Sequence, residues 1–352
     1  MRFDLSQDQE LAAGATRDLL AKESPVEVSR RISEETDEGF SREHWARLAE
    51  LGYLGLLAPA AAGGQGLGAI ELAVVCLEMG RVCFPGPYLD VVLAAKVLES
   101  AGCDEVLAQV AAGREIVVLA TGDGGLWPGD KAGVSYRDGR VGGTKYFVPW
   151  AASADRIVAD AGGRLVLADG PFETSAMKTL DEAERFAELS LDCPAVELGD
   201  DSLLGGVAEL SAVAVAATAL GVCEATMERA VAYSLERETF GRPIGANQSL
   251  QHRMADMLVR TESTRATVFR AAWCLDSGGV DAPLVAAAAR AYAVASADLC
   301  AREALQIHGG NGFTWEYDIH RFLKKTVSLS QRYGSQADMF ERALAAVESR
   351  VG

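Results

Sequence analysis

The sequence predicts an α+β fold, mostly α, in three successive segments: an N-terminal helical domain (1–113), a small middle β-domain (114–196) and a C-terminal four-helix bundle (197–352). Three observations carry this. Apolar residues recur at helical spacing from Leu5 to about Gly113. Near Glu115 the pattern changes to short β-branched runs divided by turn residues. From about Ser202, long amphipathic stretches rich in Ala and Leu take over and persist.

In the first segment Ser6, with Gln9 three residues on, has the pattern of a capping box and opens the first helix. Helices follow over Arg42–Leu51, Ala69–Val82 and Pro87–Ala101. Between them, Pro59 to Gly68 reads as a flexible loop. No strand precedes it and its glycine spacing is wrong for a dinucleotide fingerprint. The middle segment offers strands at Glu115–Ala120, Val134–Arg137, Val141–Val148, Asp155–Asp160 and Arg164–Ala168. Arg137-Asp138-Gly139-Arg140 and Ala161-Gly162-Gly163-Arg164 suit hairpin connections. The last segment reads as helices at Leu203–Arg237, Gln248–Ser277, Ala282–His308 and Gln336–Ser349, whose short connections imply an antiparallel bundle.

Composition narrows the function classes. A formal charge of −17 argues against nucleic acid and against an anionic membrane as partners. Seven scattered cysteines without a CxxC pair read as buried thiols in a reducing compartment. The four histidines show no ligand spacing, so no metal is expected. The N-terminus is polar and acidic, unlike a signal peptide. The longest apolar or small run, Ser211 to Cys223, is too short to span a bilayer. A cytoplasmic protein is the expectation.

Chemistry concentrates in two segments about sixty residues apart, each where a helical pattern breaks. The first, Arg237-Glu238-Thr239-Phe240-Gly241-Arg242-Pro243-Ile244-Gly245 leading to Gln248, offers a cation, an aromatic face and two glycines. The second, Gln306-Ile307-His308-Gly309-Gly310-Asn311-Gly312, offers an amide and three glycines. Arg forks onto phosphate oxygens, Phe covers a ring and Gly admits close backbone approach. Together they suit a cofactor with phosphates and rings. From the residues alone, Arg237 suits capping of a helix end as well as anion binding.

The runs RETFGRPIGANQSLQHRMADM and ALQIHGGNGFTWEYDIHRFLKK resemble the two C-terminal motifs of the acyl-CoA dehydrogenase family, flavoenzymes that desaturate acyl-CoA thioesters between Cα and Cβ. The resemblance follows most of the chain in order and length, and it implies the helical–β–helical architecture. It also implies FAD as cofactor, held by Arg237, Thr239, Phe240, Gln248, Gln306, Gly309 and Gly310. In the family these groups act in trans, on the flavin of the neighbouring subunit.

Two of the family's motifs are missing. The segment ending in Thr-Glu-Pro with a Gly-Ser-Asp turn is replaced by Leu119-Ala120-Thr121-Gly122-Asp123-Gly124-Gly125-Leu126. The Trp-Ile-Thr-like flavin strand reads Tyr146-Phe147-Val148-Pro149-Trp150, and Pro149 has no N–H to offer. The catalytic base is the second gap. Taking the α-proton of a thioester needs a desolvated carboxylate. Tyr333 stands at the usual Glu position, and a phenol with a pKa of about 10 is a poor substitute. The family's alternative base position aligns with Ser211. Glu209, two residues earlier and about 200° round a helix, is the remaining candidate base. It equally suits a first-turn carboxylate favoured by the helix dipole. Asp200 and Asp201 are lesser candidates, His308 reads as structural, and Glu316 and Arg321 are a pair without chemistry.

The expected function is that of a subunit of an FAD-dependent acyl-CoA dehydrogenase, itself lacking the base. It would complete the FAD site of a longer homologous subunit, as the resemblance to the heterotetrameric type implies. A self-sufficient homo-oligomer using Glu209, and a non-enzymatic acyl-CoA-binding or structural module, are the alternatives. Expected partners are acyl-CoA, the homologous subunit or a second copy, and an electron-transferring flavoprotein.

Overall fold

The computed structural model describes residues 5–121, 133–315 and 317–351. Six helices come first: α1 (Gln7–Glu23), α2 (Val26–Glu35), α3 (Arg42–Glu50), α4 (Ala69–Arg81), α5 (Tyr88–Ser100) and α6 (Asp104–Ala111). The expected capping box opens α1: Ser6 Oγ accepts from Gln9 N at 3.3 Å and Gln9 Oε1 accepts from Ser6 N at 2.9 Å. The Pro59–Gly68 stretch departs from the flexible loop expected. Gln65, Gly66 and Leu67 donate backbone N–H groups to Gly55, Ala58 and Leu56 at 2.8–2.9 Å, which ties the loop down.

Seven strands form one sheet: β1 (Val117–Ala120), β2 (Ser135–Arg137), β3 (Arg140–Pro149), β4 (Arg156–Asp160), β5 (Arg164–Asp169), β6 (Glu173–Met177) and β7 (Phe186–Asp200). The order is β1-β4-β5-β7-β3-β2, with β6 paired to β7. Both expected hairpins form. Asp138 and Gly139 take positive φ between the paired Arg137 and Arg140, and Gly162-Gly163 turns β4 into β5. Strands β6 and β7 were not anticipated. β7 is the sheet's central element: its first half pairs with β3 and β6, its second half with β5.

The chain then enters α7 (Val207–Glu236), the hairpin β8 (Glu238–Thr239) and β9 (Arg242–Pro243), α8 (Gln248–Asp276), α9 (Ala282–His308), α10 (Ile319–Gln331) and α11 (Gln336–Val351). Helix α10 is additional to the four helices expected. By length and composition α7 and α9 would span a membrane, yet 67% and 61% of their most apolar windows are buried inside the fold. Helix α7 is the axis: from Leu210 to Thr226 nearly every side chain is buried. Its crossing with α4 is backbone on backbone. A Cβ on Gly221 would lie 2.0 Å from Leu77 O, and one on Gly80 would lie 2.1 Å from Thr218 O. A side chain at either position forces the helices apart. Asp276, at the end of α8, ties that helix to α4 by accepting from Ala69 N (2.6 Å) and Ile70 N (3.0 Å) at the start of α4.

Candidate functional site

Helix α7 runs antiparallel to α8, and α8 to α9, so the C-terminal ends of α7 and α9 meet the N-terminal end of α8. This brings the two motifs together. Arg237 is the residue at which α7 ends; its N–H is capped by Tyr233 O at 2.9 Å and its side chain is exposed. Thr239 and Arg242 pair, leaving Phe240-Gly241 as a two-residue turn with φ of 52° and 77°. Phe240 therefore stands off the body of the chain at 104% relative exposure. Gln248 is the first residue of α8, where unpaired backbone N–H groups favour an anion.

On the other side, Gln306, Gly309 and Gly310 are exposed at the end of α9. Gly309 turns the chain at φ 60°. Gly310 has an ordinary φ, and a Cβ there would meet nothing within 4 Å. Among the described residues no contact requires glycine at 310, which leaves open space beside it. Arg237 has no hydrogen bond or ion pair through its side chain among the described residues. A free guanidinium, an exposed ring, a helix N-terminus and an open glycine turn on one surface fit half a cradle for a phosphate- and ring-bearing cofactor.

The position expected to carry the base is the opposite case. Tyr333 is buried, with φ 57°, and its hydroxyl donates to Asp90 Oδ1. Arg332 donates to both oxygens of Asp90 and to Glu184. Lys325 donates to Glu184 at 2.7 Å and lies 3.6 Å from Asp181. Arg290, almost wholly buried, holds the turn by donating to the carbonyls of Arg332, Tyr333 (3.2 Å) and Gly334. Burial and the nearby Arg342 bring the Arg290 pKa down to about 10. Burial, and then Asp90, push the Tyr333 phenol well above its ordinary value. This is a donor locked onto a carboxylate, not a proton acceptor. The cavity beside the cluster, lined by Tyr88, Thr218, Glu184, Lys325 and Arg332, measures ≈ 50 Å³. Ligand pockets run to about 300 Å³ or more, so this one has no room for an acyl chain.

Glu209 lies in the first turn of α7, about 42 Å along that helix from Arg237 at 1.5 Å per residue. It lines a separate, more open hollow of ≈ 590 Å³ with Asp281, Met339 and Arg342. Ser211 is buried and donates to Ala208 O at 2.8 Å. Asp200 is exposed and accepts from Ser202, whose hydrogen bonds hold its carboxyl below the usual value. Asp201 is exposed too. Pro149 is buried, and Trp150 packs edge-on against Phe40 at 5.7 Å within the chain's own core. Of the Leu119–Leu126 stretch, Gly122 to Leu126 lie outside the described residues, as does Glu316. Arg321 donates to Glu34 at 2.8 Å and to Ser33 Oγ at 2.9 Å. Sequence reasoning missed Asp90, Glu184 and Lys325, which lie on α5, before β7 and on α10.

Residues 6–112 match the acyl-CoA dehydrogenase N-terminal domain and residues 206–343 the acyl-CoA dehydrogenase C-terminal domain. The chain is 32% identical over 344 residues to the acyl-CoA dehydrogenase IpdE2 of Mycolicibacterium smegmatis, covering 97% of this chain and all of that one. To IpdE2 of Mycobacterium tuberculosis it is 29% identical, with 96% of each chain covered. Among solved structures, the Tcur3481-Tcur3483 steroid ACAD G363A variant superposes with a TM-score of 0.88 at 25% identity, over 98% of this chain and 99% of that one. The ChsE4-ChsE5 complex from Mycobacterium tuberculosis shares the fold, with a TM-score of 0.88 at 24% identity over 99% of each chain. Motifs, fold and full-length similarity converge: the chain belongs to the acyl-CoA dehydrogenase family.

Proposed function

We propose that this chain is a subunit of an FAD-dependent acyl-CoA dehydrogenase that supplies half of a partner's FAD site and no catalytic base of its own. The observation that carries this is Tyr333, sealed against Asp90 at the base position, while Arg237, Phe240 and Gln248 stand open to an outside ligand. When bound, FAD would supply the hydride acceptor for the β-carbon, in a reaction that also needs a carboxylate to take the α-proton. In this chain Arg237 and the α8 N-terminus would meet its phosphates, Phe240 its adenine side, and Gln306, Gly309 and Gly310 the rest of the trans contact. The base and the polarising donors for the thioester would come from the longer homologous subunit. The structural neighbour described as the ChsE4-ChsE5 complex supports such an assembly, and the Tcur3481-Tcur3483 steroid ACAD supports a bulky, steroid-type acyl-CoA. Re-oxidation would pass to an electron-transferring flavoprotein.

Anaerobic titration with acyl-CoA tests the reading. The flavin of the co-purified assembly should bleach, and this chain alone, incubated with FAD, should not. Bleaching by the isolated chain would overturn it.

A second reading, a self-sufficient homo-oligomer, is favoured by the position of Glu209 in the ≈ 590 Å³ hollow. Glu209→Gln would then abolish turnover while FAD stays bound; unchanged turnover removes that base.

A further inference from the structure

The two halves of the cradle are joined by one pair of rings. Tyr233, one turn before Arg237 on α7, stacks on His308 at the end of α9, with ring centroids 4.3 Å apart and planes 20° from parallel. Each end of the stack is anchored to a motif. Tyr233 Oη accepts from Asn311 Nδ2 at 3.1 Å, inside the glycine turn, and Tyr233 O caps the N–H of Arg237 at 2.9 Å. His308 Nδ1–H donates to Ala304 O at 2.7 Å, which fixes the tautomer and the ring plane one residue before Gly309. Tyr317 closes the cluster edge-on, 5.8 Å from Tyr233 and 6.0 Å from His308.

We propose that Tyr233 and His308 are positioning residues for the flavin cradle, holding the Arg237–Gln248 segment and the Gln306–Gly310 turn at the separation the cofactor needs. The proposal rests on the reading that these segments bind flavin. Its physical basis is that exposed groups on two different helix ends meet one ligand only if their spacing is set from behind. Rim residues such as Arg237 and Phe240 have no packing of their own to do this, as their exposure shows. The stack lies behind them, with His308 buried and Tyr233 half-buried. Stacked rings resist shear between α7 and α9, and the Asn311 bond sets how far the glycine turn stands from α7.

The test uses the flavin-loaded assembly isolated with the tagged chain from its native host, and reads FAD dissociation by ultrafiltration together with the visible flavin spectrum. Tyr233→Phe keeps the stack and removes only the Asn311 bond; FAD retention should weaken about 3–10-fold, the worth of one hydrogen bond. His308→Ala should weaken it more and alter the vibronic shape of the flavin band, and His308→Phe should recover most of the loss. Leu107→Ala, in the remote and fully buried interior of α6, is the stability control. It should lower the melting temperature without releasing FAD. If Leu107→Ala releases FAD as readily as His308→Ala, the effect is general destabilisation and the proposal fails. If Arg237→Ala releases FAD while both ring variants retain it, the proposal fails and the flavin reading stands. If Arg237→Ala also retains FAD, the reading beneath it falls.

Discussion

Replacing Arg332 by Met tests the sealed chamber. Arg332 is only 3% exposed and serves Asp90 and Glu184 at once, while stacking over Phe186 and Tyr333 at 5.4 and 5.2 Å. Met keeps most of the volume and removes the charge. Asp90 would then keep the Tyr333 hydroxyl but lose its ion pair, and Glu184 would be left to share Lys325 with Asp181. Breaking one side of a buried pair costs about 3–5 kcal/mol, because the remaining charge stays desolvated. With an unfolding entropy near 2.1 cal/mol/K per residue, a chain of 352 residues converts that into a melting temperature lower by about 4–7 °C. Thermal unfolding followed by circular dichroism at neutral pH measures it. Adding Asp90→Asn to Arg332→Met should return part of the loss, since the orphaned charge disappears with its partner. A change below about 1 °C for Arg332→Met, the scale of a solvated surface pair, would show that the cluster is not a dry seal and would refute the reasoning.

Other outcomes follow from the same geometry. Tyr333→Glu puts a carboxylate at the expected base position but places it against Asp90; it should destabilise the chain and give no dehydrogenation, measured as dye reduction by acyl-CoA. Burial, followed by the nearby Arg229, lowers the His308 pKa, so the unfolded chain binds a proton there before the folded one does. Stability from this group is complete above about pH 6.5, the free imidazole value, and is lost as pH falls below it. His308→Phe should flatten that part of a pH–melting profile. Phe240 touches little of its own chain, so Phe240→Ala should leave the melting temperature of the isolated chain unchanged, within about 0.5 kcal/mol. The same change should weaken flavin retention in the assembly.

Where local rules decide, the sequence was a sound guide. Asp138-Gly139 and Gly162-Gly163 fix their hairpins because positive φ favours glycine and its turn partners, and Ser6 with Gln9 caps α1 within four residues. Strand β7 was hidden for a physical reason. Its inward positions carry Ala187, Leu189, Leu191, Cys193 and Ala195 rather than β-branched residues, and Pro194 interrupts it. The proline is tolerated where β7 exchanges one neighbour for another: it still faces Arg140 on β3, and the next residue, Ala195, pairs with Ala168 on β5. Helix α10 was obscured by Arg321 and Lys325 on its buried face, which look like solvent residues until their partners are known. Those partners, Glu34 and Glu184, lie 287 and 141 residues away in sequence. The two candidate cofactor segments could be picked out because each is a short run at a helix end. The seal over Tyr333 was not, because Asp90 comes from α5, 243 residues earlier.

Counting flavin per chain in the native assembly bears most directly on the claim that this polypeptide keeps a neighbour's half-cradle and has closed its own chamber. Absorbance of released FAD against quantitative amino-acid analysis of each subunit should give one flavin for every two chains, lost on Arg237→Ala in this one. One flavin for every copy of this chain, in an assembly made of this chain alone, would contradict the account.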